Sequence, residues 1–205
     1  MIIKLLHLFD LVFKLVYAQV TTLLFKVKLS LRSCSYGKNL YISGKVYLAT
    51  QKKGALKIGD YFKLNSNPAS NLVGISNRAS FQIIENGRIE IGNDCGFSST
   101  VLSSRSLIRI GNYVKIGGNV RIFDHDYHST NYLERRVKKM DSQNCRTKKV
   151  IIEDDVFIGT NVIILKGTFI GARSVLSAGS IINGQIIPPD SLVAGNPAQI
   201  IKRLT

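Results

Sequence analysis

From Ile152 onward an aliphatic residue falls at every sixth position: Ile152, Ile158, Ile164, Ile170, Leu176 and Ile182. A second small or aliphatic residue follows four places after each, at Val156, Val162, Thr168, Ser174, Ser180 and Ile186. Six is the wrong period for an α-helix, whose apolar face recurs about every 3.6 residues, and too long for the alternation of a plain strand. It suits a chain that turns a corner every six residues and aims the same two positions inward on each side. Such a unit buries little by itself, so stacked coils must share one continuous core. Three hexads then make one turn of a triangular prism walled by three parallel sheets.

The same phase recurs upstream at Ile110-Gly111, Ile116-Gly117 and Ile122, with Val114 and Val120 four places on. Ile91-Gly92 carries Cys95 and Phe97 in phase, and Ile58-Gly59 is a weaker copy. The 91 and 110 series are offset by one residue, which places a small insertion near residues 103–106. Between Ile122 and Ile152 the pattern lapses, and an extruded loop over about 124–149 is expected there.

Residues 1–31 lack the hexad and read as a separate amphipathic helical segment ahead of a β-helical domain over 32–205. On a helical wheel Lys4, His7, Asp10, Lys14, Thr21 and Lys28 share one side, while Leu5, Leu8, Phe9, Val12, Phe13, Val16 and Val20 cover much of the rest. The longest uncharged run, Leu15 to Phe25, is eleven residues, too short to span a bilayer. No small-residue cleavage site follows it, which argues against a secretory signal. Two readings stay open. The segment caps the end of the solenoid or packs between subunits, or it lies in a membrane interface with its basic residues toward anionic lipid.

The repeat resembles that of the hexapeptide-repeat acyltransferases, whose fold is a left-handed parallel β-helix. Its most specific stretch runs from Val156-Phe157-Ile158-Gly159-Thr160-Asn161 to the ending Gly195-Asn196-Pro197-Ala198. The left hand comes from the resemblance, since parallel crossovers are otherwise almost always right-handed. Within that family the chain looks most like the maltose, galactoside and polysaccharide O-acetyltransferases. The resemblance implies an all-β homotrimer that uses acetyl-CoA as co-substrate and acetylates a carbohydrate.

Composition adds little against this. The 205 residues fit one domain with a sizeable core, and 45% hydrophobic with 20% charged residues is ordinary. Cys34, Cys95 and Cys145 are odd in number and lack metal-ligand spacing, so no disulfide framework is implied; this suits a cytoplasmic protein, or one peripheral at the inner face of the cytoplasmic membrane. The net charge of +15 suits an anionic membrane, an acidic glycan or nucleic acid alike on total charge alone. None of the usual nucleic-acid modules is present, so no nucleic-acid partner is expected. Arg135, Arg136, Lys138, Lys139, Arg146, Lys148 and Lys149 crowd the extruded loop, either as a solvated face or as a patch for an acidic acceptor or for cofactor phosphates.

Chemistry concentrates in Phe123-Asp124-His125-Asp126-Tyr127-His128, where the regular coil ends. Acyl transfer to a hydroxyl needs a proton acceptor, and an imidazole serves near neutral pH. An adjacent carboxylate, Asp124 or Asp126, can fix its tautomer and stabilise the imidazolium. The family pattern puts His125 on the general base, with His128 second. It also implies that the Thr160 N–H faces the thioester oxygen, that Gly159, Thr160, Ala178 and Gly179 lie along the coenzyme, and that Lys202 and Arg203 meet its phosphates. A Thr-Lys pair common in relatives is replaced here by Asn183-Gly184-Gln185-Ile186-Ile187. Phe97, Ser98, Ser99 and Asn119 match the acceptor-binding coil, although the galactoside branch has Asn where Phe97 stands, so the polar contact is absent or supplied by Ser98, which argues against a simple galactoside or maltose acceptor. His125 and His128 would need a third imidazole to hold zinc, and the only other is His7, so no metal is expected. The rival functions are N-acetylation of an aminosugar nucleotide, O-acetylation of an antibiotic, and a β-helical scaffold without chemistry. A carbohydrate acceptor, acidic or lipid-linked, is the favoured partner.

Overall fold

The computed structural model describes the backbone from Ile2 to Leu204, with side chains from Phe9 onward apart from Ser70. The side chains of Lys4, Leu5, His7 and Leu8, used in the helical wheel, therefore lie outside the described residues.

A single long helix, α1 (Ile2–Leu31), precedes three sheets. The first holds seven strands, running from Ser35–Tyr36 through Ile108–Ile110 and Val150–Ile152 to Ile186–Ile187. The second holds eight, from Tyr41–Ser43 through Lys115–Ile116 and Phe157–Ile158 to Ala198–Arg203. The third holds six, from Tyr47–Thr50 through Val101–Ser104 and Arg121–Phe123 to Ile181–Asn183. The chain visits the sheets in rotation, so each strand pairs in parallel with its counterpart one coil on; the last strand alone turns back antiparallel, onto Ser191–Gly195.

The register is the hexad made physical. Ile110 pairs with Ile152 and Ile152 with Ile170; Ile116 pairs with Ile158 and Ile158 with Leu176; Ile122 pairs with Ile164 and Ile164 with Ile182. All of these side chains are buried, together with Val156, Val162, Thr168, Ser174 and Ser180 of the second inward position. Each such aliphatic contributes roughly 1.5–3 kcal/mol on burial, and the columns leave no gap along the axis. One position departs from expectation. The last coil turns from Ile182 to Ile187 in five residues rather than six, closing through Gly184 at φ 66°. Ile187 is therefore inside, and Ile186, expected inward, is 77% exposed.

Two segments leave the coil. Residues 124–149 carry the short helices α2 (Tyr132–Arg135) and α3 (Lys138–Gln143), and the basic residues on this excursion are exposed. A second excursion, over residues 66–79, departs between the strands Lys63–Asn65 and Ser80–Ile83 and was not foreseen from the pattern. Helix α1 covers the first coil. Ala18, Phe25 and Leu29 are buried against it, Phe25 meets the edge of Phe81 at 6.3 Å, and Thr21 Oγ1 donates to the Ile42 carbonyl at 2.6 Å.

Candidate active site

The chain leaves the third sheet at Phe123, and the next two side chains turn inward: Asp124 and His125 are both buried. Room for the carboxylate comes from the neighbouring corner. From Leu102 to Ile110 the chain takes eight residues where the equivalent step from Ile164 to Ile170 takes six. That widening is the insertion expected near 103–106, and it folds around the acid. Arg105 N–H donates to Asp124 Oδ1 at 2.8 Å, Ser106 N–H to Oδ2 at 2.9 Å, and Ser104 Oγ to Oδ2 at 2.7 Å. His125 Nδ1 lies 3.1 Å from Oδ1. Burial pushes the Asp124 carboxyl up, but the hydrogen bonds from His125, Ser104, Arg105 and Ser106 together outweigh it and hold the group below its ordinary range.

An anionic Asp124 accepts from Nδ1–H, so the neutral imidazole keeps its lone pair on Nε2. That Nε2 is buried and has no hydrogen-bond partner among the described residues. Tyr127 leans over the ring at 4.5 Å between centroids, tilted 52°. Its hydroxyl donates to Gln82 Oε1 at 3.1 Å, and Gln82 also accepts from Ser103 Oγ at 2.9 Å.

The other candidates of the motif do different things. Asp126 pairs with Lys166 Nζ at 2.5 Å rather than with the imidazole, so Asp124 alone fixes the tautomer of His125. His128 is exposed on the excursion, with Nδ1 2.7 Å from Asp141 Oδ2. The His128 hydrogen bond, and then one from the Ser129 N–H, hold Asp141 below its ordinary range. Among the described residues no group of three or more His, Cys, Asp or Glu side chains is placed to hold a metal ion.

Thr160 sits at the corner between the second and third sheets, stacked between Gly118 and Ala178 of adjacent coils. Coils approach closely here: a Cβ on Gly159 would meet the Ala178 nitrogen at 2.6 Å. The N–H groups of Gly118, Thr160 and Ala178 have no acceptor among the described residues. The corner between the first and second sheets is built differently. There Asp60 caps the Lys38 N–H at 2.6 Å, Asn93 that of Asp60 at 2.8 Å, Asn112 that of Asn93 at 2.9 Å, and Asp154 that of Asn112 at 2.7 Å. One edge of the prism is closed by a ladder of side-chain caps; the other is bare of caps at these three residues, buried at Gly118 and open at Ala178. Ala178 and Gly179 on the bare edge are exposed, as are Lys202 and Arg203 on the last strand, where Arg203 Nη1 donates to the Pro189 carbonyl at 2.7 Å.

The residues matched to acceptor binding are already engaged. Phe97 belongs to the core, edge-on to Phe62 at 5.0 Å, because its strand position faces the prism axis; it has no surface to offer a sugar. Ser98 Oγ accepts from Asn71 Nδ2 at 2.8 Å, and Ser99 Oγ donates to the Asn77 carbonyl. Asn119 accepts from the Ser76 N–H at 2.9 Å and donates to the Gly74 carbonyl at 2.9 Å. All three polar residues anchor the 66–79 excursion, whose Val73 would stand 3.3 Å from a Cβ on Gly118. The sequence therefore missed Ser104, Arg105 and Ser106 as the cradle of Asp124, although the one-residue offset marked the place.

A family model described as "Hexapeptide repeat of succinyl-transferase" matches residues 149–183. A stretch of 54 residues is 48% identical to the 2,3,4,5-tetrahydropyridine-2,6-dicarboxylate N-acetyltransferase of Staphylococcus aureus strain JH9, covering 26% of this chain and 22% of that protein. The chain thus spans about a fifth of the length of the curated relatives it matches. A hexapeptide-repeat containing acetyltransferase from Vibrio cholerae superposes with a TM-score of 0.58 at 27% identity, over 88% of this chain and 79% of the other. An N-acyltransferase from Bacillus cereus, AntD, solved with dTDP and 3-hydroxybutyryl-CoA, superposes with a TM-score of 0.66 at 18% identity over 88% of both chains, a likeness of fold. The chain carries a hexapeptide repeat over residues 149–183 and shares the left-handed parallel β-helix fold of these solved acyltransferases.

Proposed function

We propose that this hexapeptide-repeat protein is an acyltransferase that moves an acetyl group from acetyl-CoA to a hydroxyl of a surface-polysaccharide sugar, with His125 as general base. The supporting observation is the Asp124–His125 pair: an anion fixed by three other donors orients the ring and leaves Nε2 buried without a partner. Five other buried side-chain atoms lack partners among the described residues, but only this one is a basic nitrogen oriented by an anion, and a substrate hydroxyl is the partner that suits it.

The bare edge fits a coenzyme. Ala178 and Gly179 are exposed and leave the backbone accessible, while buried Gly159 lets the coils approach; open N–H groups at Thr160 and Ala178 suit amide and thioester oxygens, and Lys202 and Arg203, across the second sheet beside Leu192 and Ser191, suit phosphates. An acyl-CoA held there would supply the activated acyl carbon. His125 Nε2 takes the proton of the attacking hydroxyl, Asp124 stabilises the imidazolium, and the Thr160 N–H donates to oxygen where negative charge develops. His125 later gives that proton to the departing thiolate.

His125→Ala lowers kcat at least about a hundredfold, read as thiol release with a panel of sugar and aminosugar acceptors, while calorimetric coenzyme A binding survives. Unchanged turnover removes His125 from the mechanism, and absence of coenzyme A binding by the native chain leaves the scaffold reading standing. Transfer to amines alone would replace hydroxyl by amine acylation.

A further inference from the structure

Helix α1 is longer than the coil it covers. Its anchoring residues, Ala18, Thr21, Phe25 and Leu29, all lie in the second half. Over 9–16 every residue is exposed, so this part overhangs the prism. The overhang is not a polar one. Phe9, Leu11, Val12, Phe13, Leu15 and Val16 occupy about 200° of the helix circumference, leaving Asp10 and Lys14 a narrow flank. Phe9 is 71% exposed and Phe13 64%. An apolar groove continues beside it, lined by Phe13, Tyr17, Tyr41 and Ala69 with Lys14 at its rim.

The charge around this end is one-sided. Residues 1–59 hold nine lysines, one arginine and a single acid, Asp10, a net +9 of the chain's +15. Among the described residues no helix is long and apolar enough to cross a membrane. We infer that α1 lies in the interface of an anionic bilayer, its overhang inserted among acyl chains and the basic end of the prism against phosphates. A helix with a wide apolar face and flanking lysines, its apolar stretch too interrupted by charge to cross, binds at a membrane interface in this manner. A second copy of the chain is the poorer occupant. It would bring like charges together with one carboxylate per chain to offset ten cations, whereas lipid phosphates supply the missing anions. This inference does not depend on the acyl-transfer chemistry.

The test is co-sedimentation of the full chain with vesicles of phosphatidylcholine alone or with 30% phosphatidylglycerol, paired with light scattering for oligomeric state. The native chain should pellet with the anionic vesicles, less so with neutral ones or in high salt. Phe9→Asp/Phe13→Asp should lower the vesicle partition coefficient at least about tenfold, with an unchanged melting temperature and oligomeric state, since neither ring is buried. Failure of the native chain to pellet with anionic vesicles overturns the inference, as does undiminished binding by the double variant. If the double variant instead changes the oligomeric state, the overhang is a contact between copies and the inference is equally overturned.

Discussion

Asp124 accepts four hydrogen bonds, and three of them come from a corner two residues wider than the one from Ile164 to Ile170. This makes the acid a positioning residue whose removal should separate geometry from charge. In Asp124→Asn an amide can present N–H to Nδ1, which shifts the ring hydrogen to Nε2 and removes the base. We expect kcat to fall by roughly two to four orders of magnitude with KM little changed, and stability to fall by roughly 1.5–3 kcal/mol as charged hydrogen bonds are lost. The pH dependence has a definite sign. The folded carboxyl titrates below the unfolded value of about 3.9. Its contribution is therefore complete above that value and is lost as pH falls through the folded pKa. Urea midpoints measured from pH 6 downward should drop in the native protein and lose this component in Asp124→Asn; parallel curves would mean that Asp124 is not the linked group. The resemblance already put His125 ahead of His128, but the motif offered two carboxylates without choosing between them. The choice is made by a tertiary feature, the wide corner at 104–106, which a linear reading locates but cannot fold around a particular side chain.

At the scale of the element, the two kinds of corner carry the function. Asp or Asn after the first-sheet strand caps the N–H of the coil before it, while Gly118, Thr160 and Ala178 bring no such cap to their edge. Ala178→Glu, at an exposed position, places a carboxylate on the open edge without touching the core. It should weaken coenzyme A binding by at least about tenfold in calorimetry, through lost access and charge repulsion, with an unchanged melting temperature; unaltered binding would move the coenzyme elsewhere. Strand positions were legible because an inward aliphatic every six residues has few physical explanations. The 66–79 excursion was not, although the 33-residue step from Ile58 to Ile91, against eighteen from Ile152 to Ile170, marks where it leaves. Its anchors, Ser98, Ser99 and Asn119, are the residues matched to acceptor binding, and they hydrogen-bond the excursion's own Asn71, Asn77 and Ser76. The exposed Ile186 comes from a corner one residue short, which shifts the phase by one, and a fixed period cannot register that.

At the scale of the whole molecule, His125 and Thr160 lie at opposite ends of the third sheet. Thr160 precedes the strand Ile163–Leu165, and His125 follows the strand Arg121–Phe123 one coil before. Three strand residues alone extend about 10 Å, so within one chain the base and the oxyanion donor cannot both reach one acyl carbon. The proposed chemistry thus requires two protomers per site, which a cyclic trimer supplies three times over by setting one chain's His125 against the next chain's bare edge. Complementation follows. Assayed with acetyl-CoA well below saturation, His125→Ala and Ala178→Glu chains are each strongly impaired alone, one lacking the base and the other the coenzyme edge. Unfolded together in equal amounts and refolded into mixed trimers, they form sites in which an intact His125 faces an intact Ala178. Random assembly gives about a quarter of the sites that composition, so activity should return to about a quarter of native. A site contained in one chain gives no recovery, because every chain in the mixture carries one lesion, and that result would set aside both the shared cleft and the joint roles of His125 and Thr160.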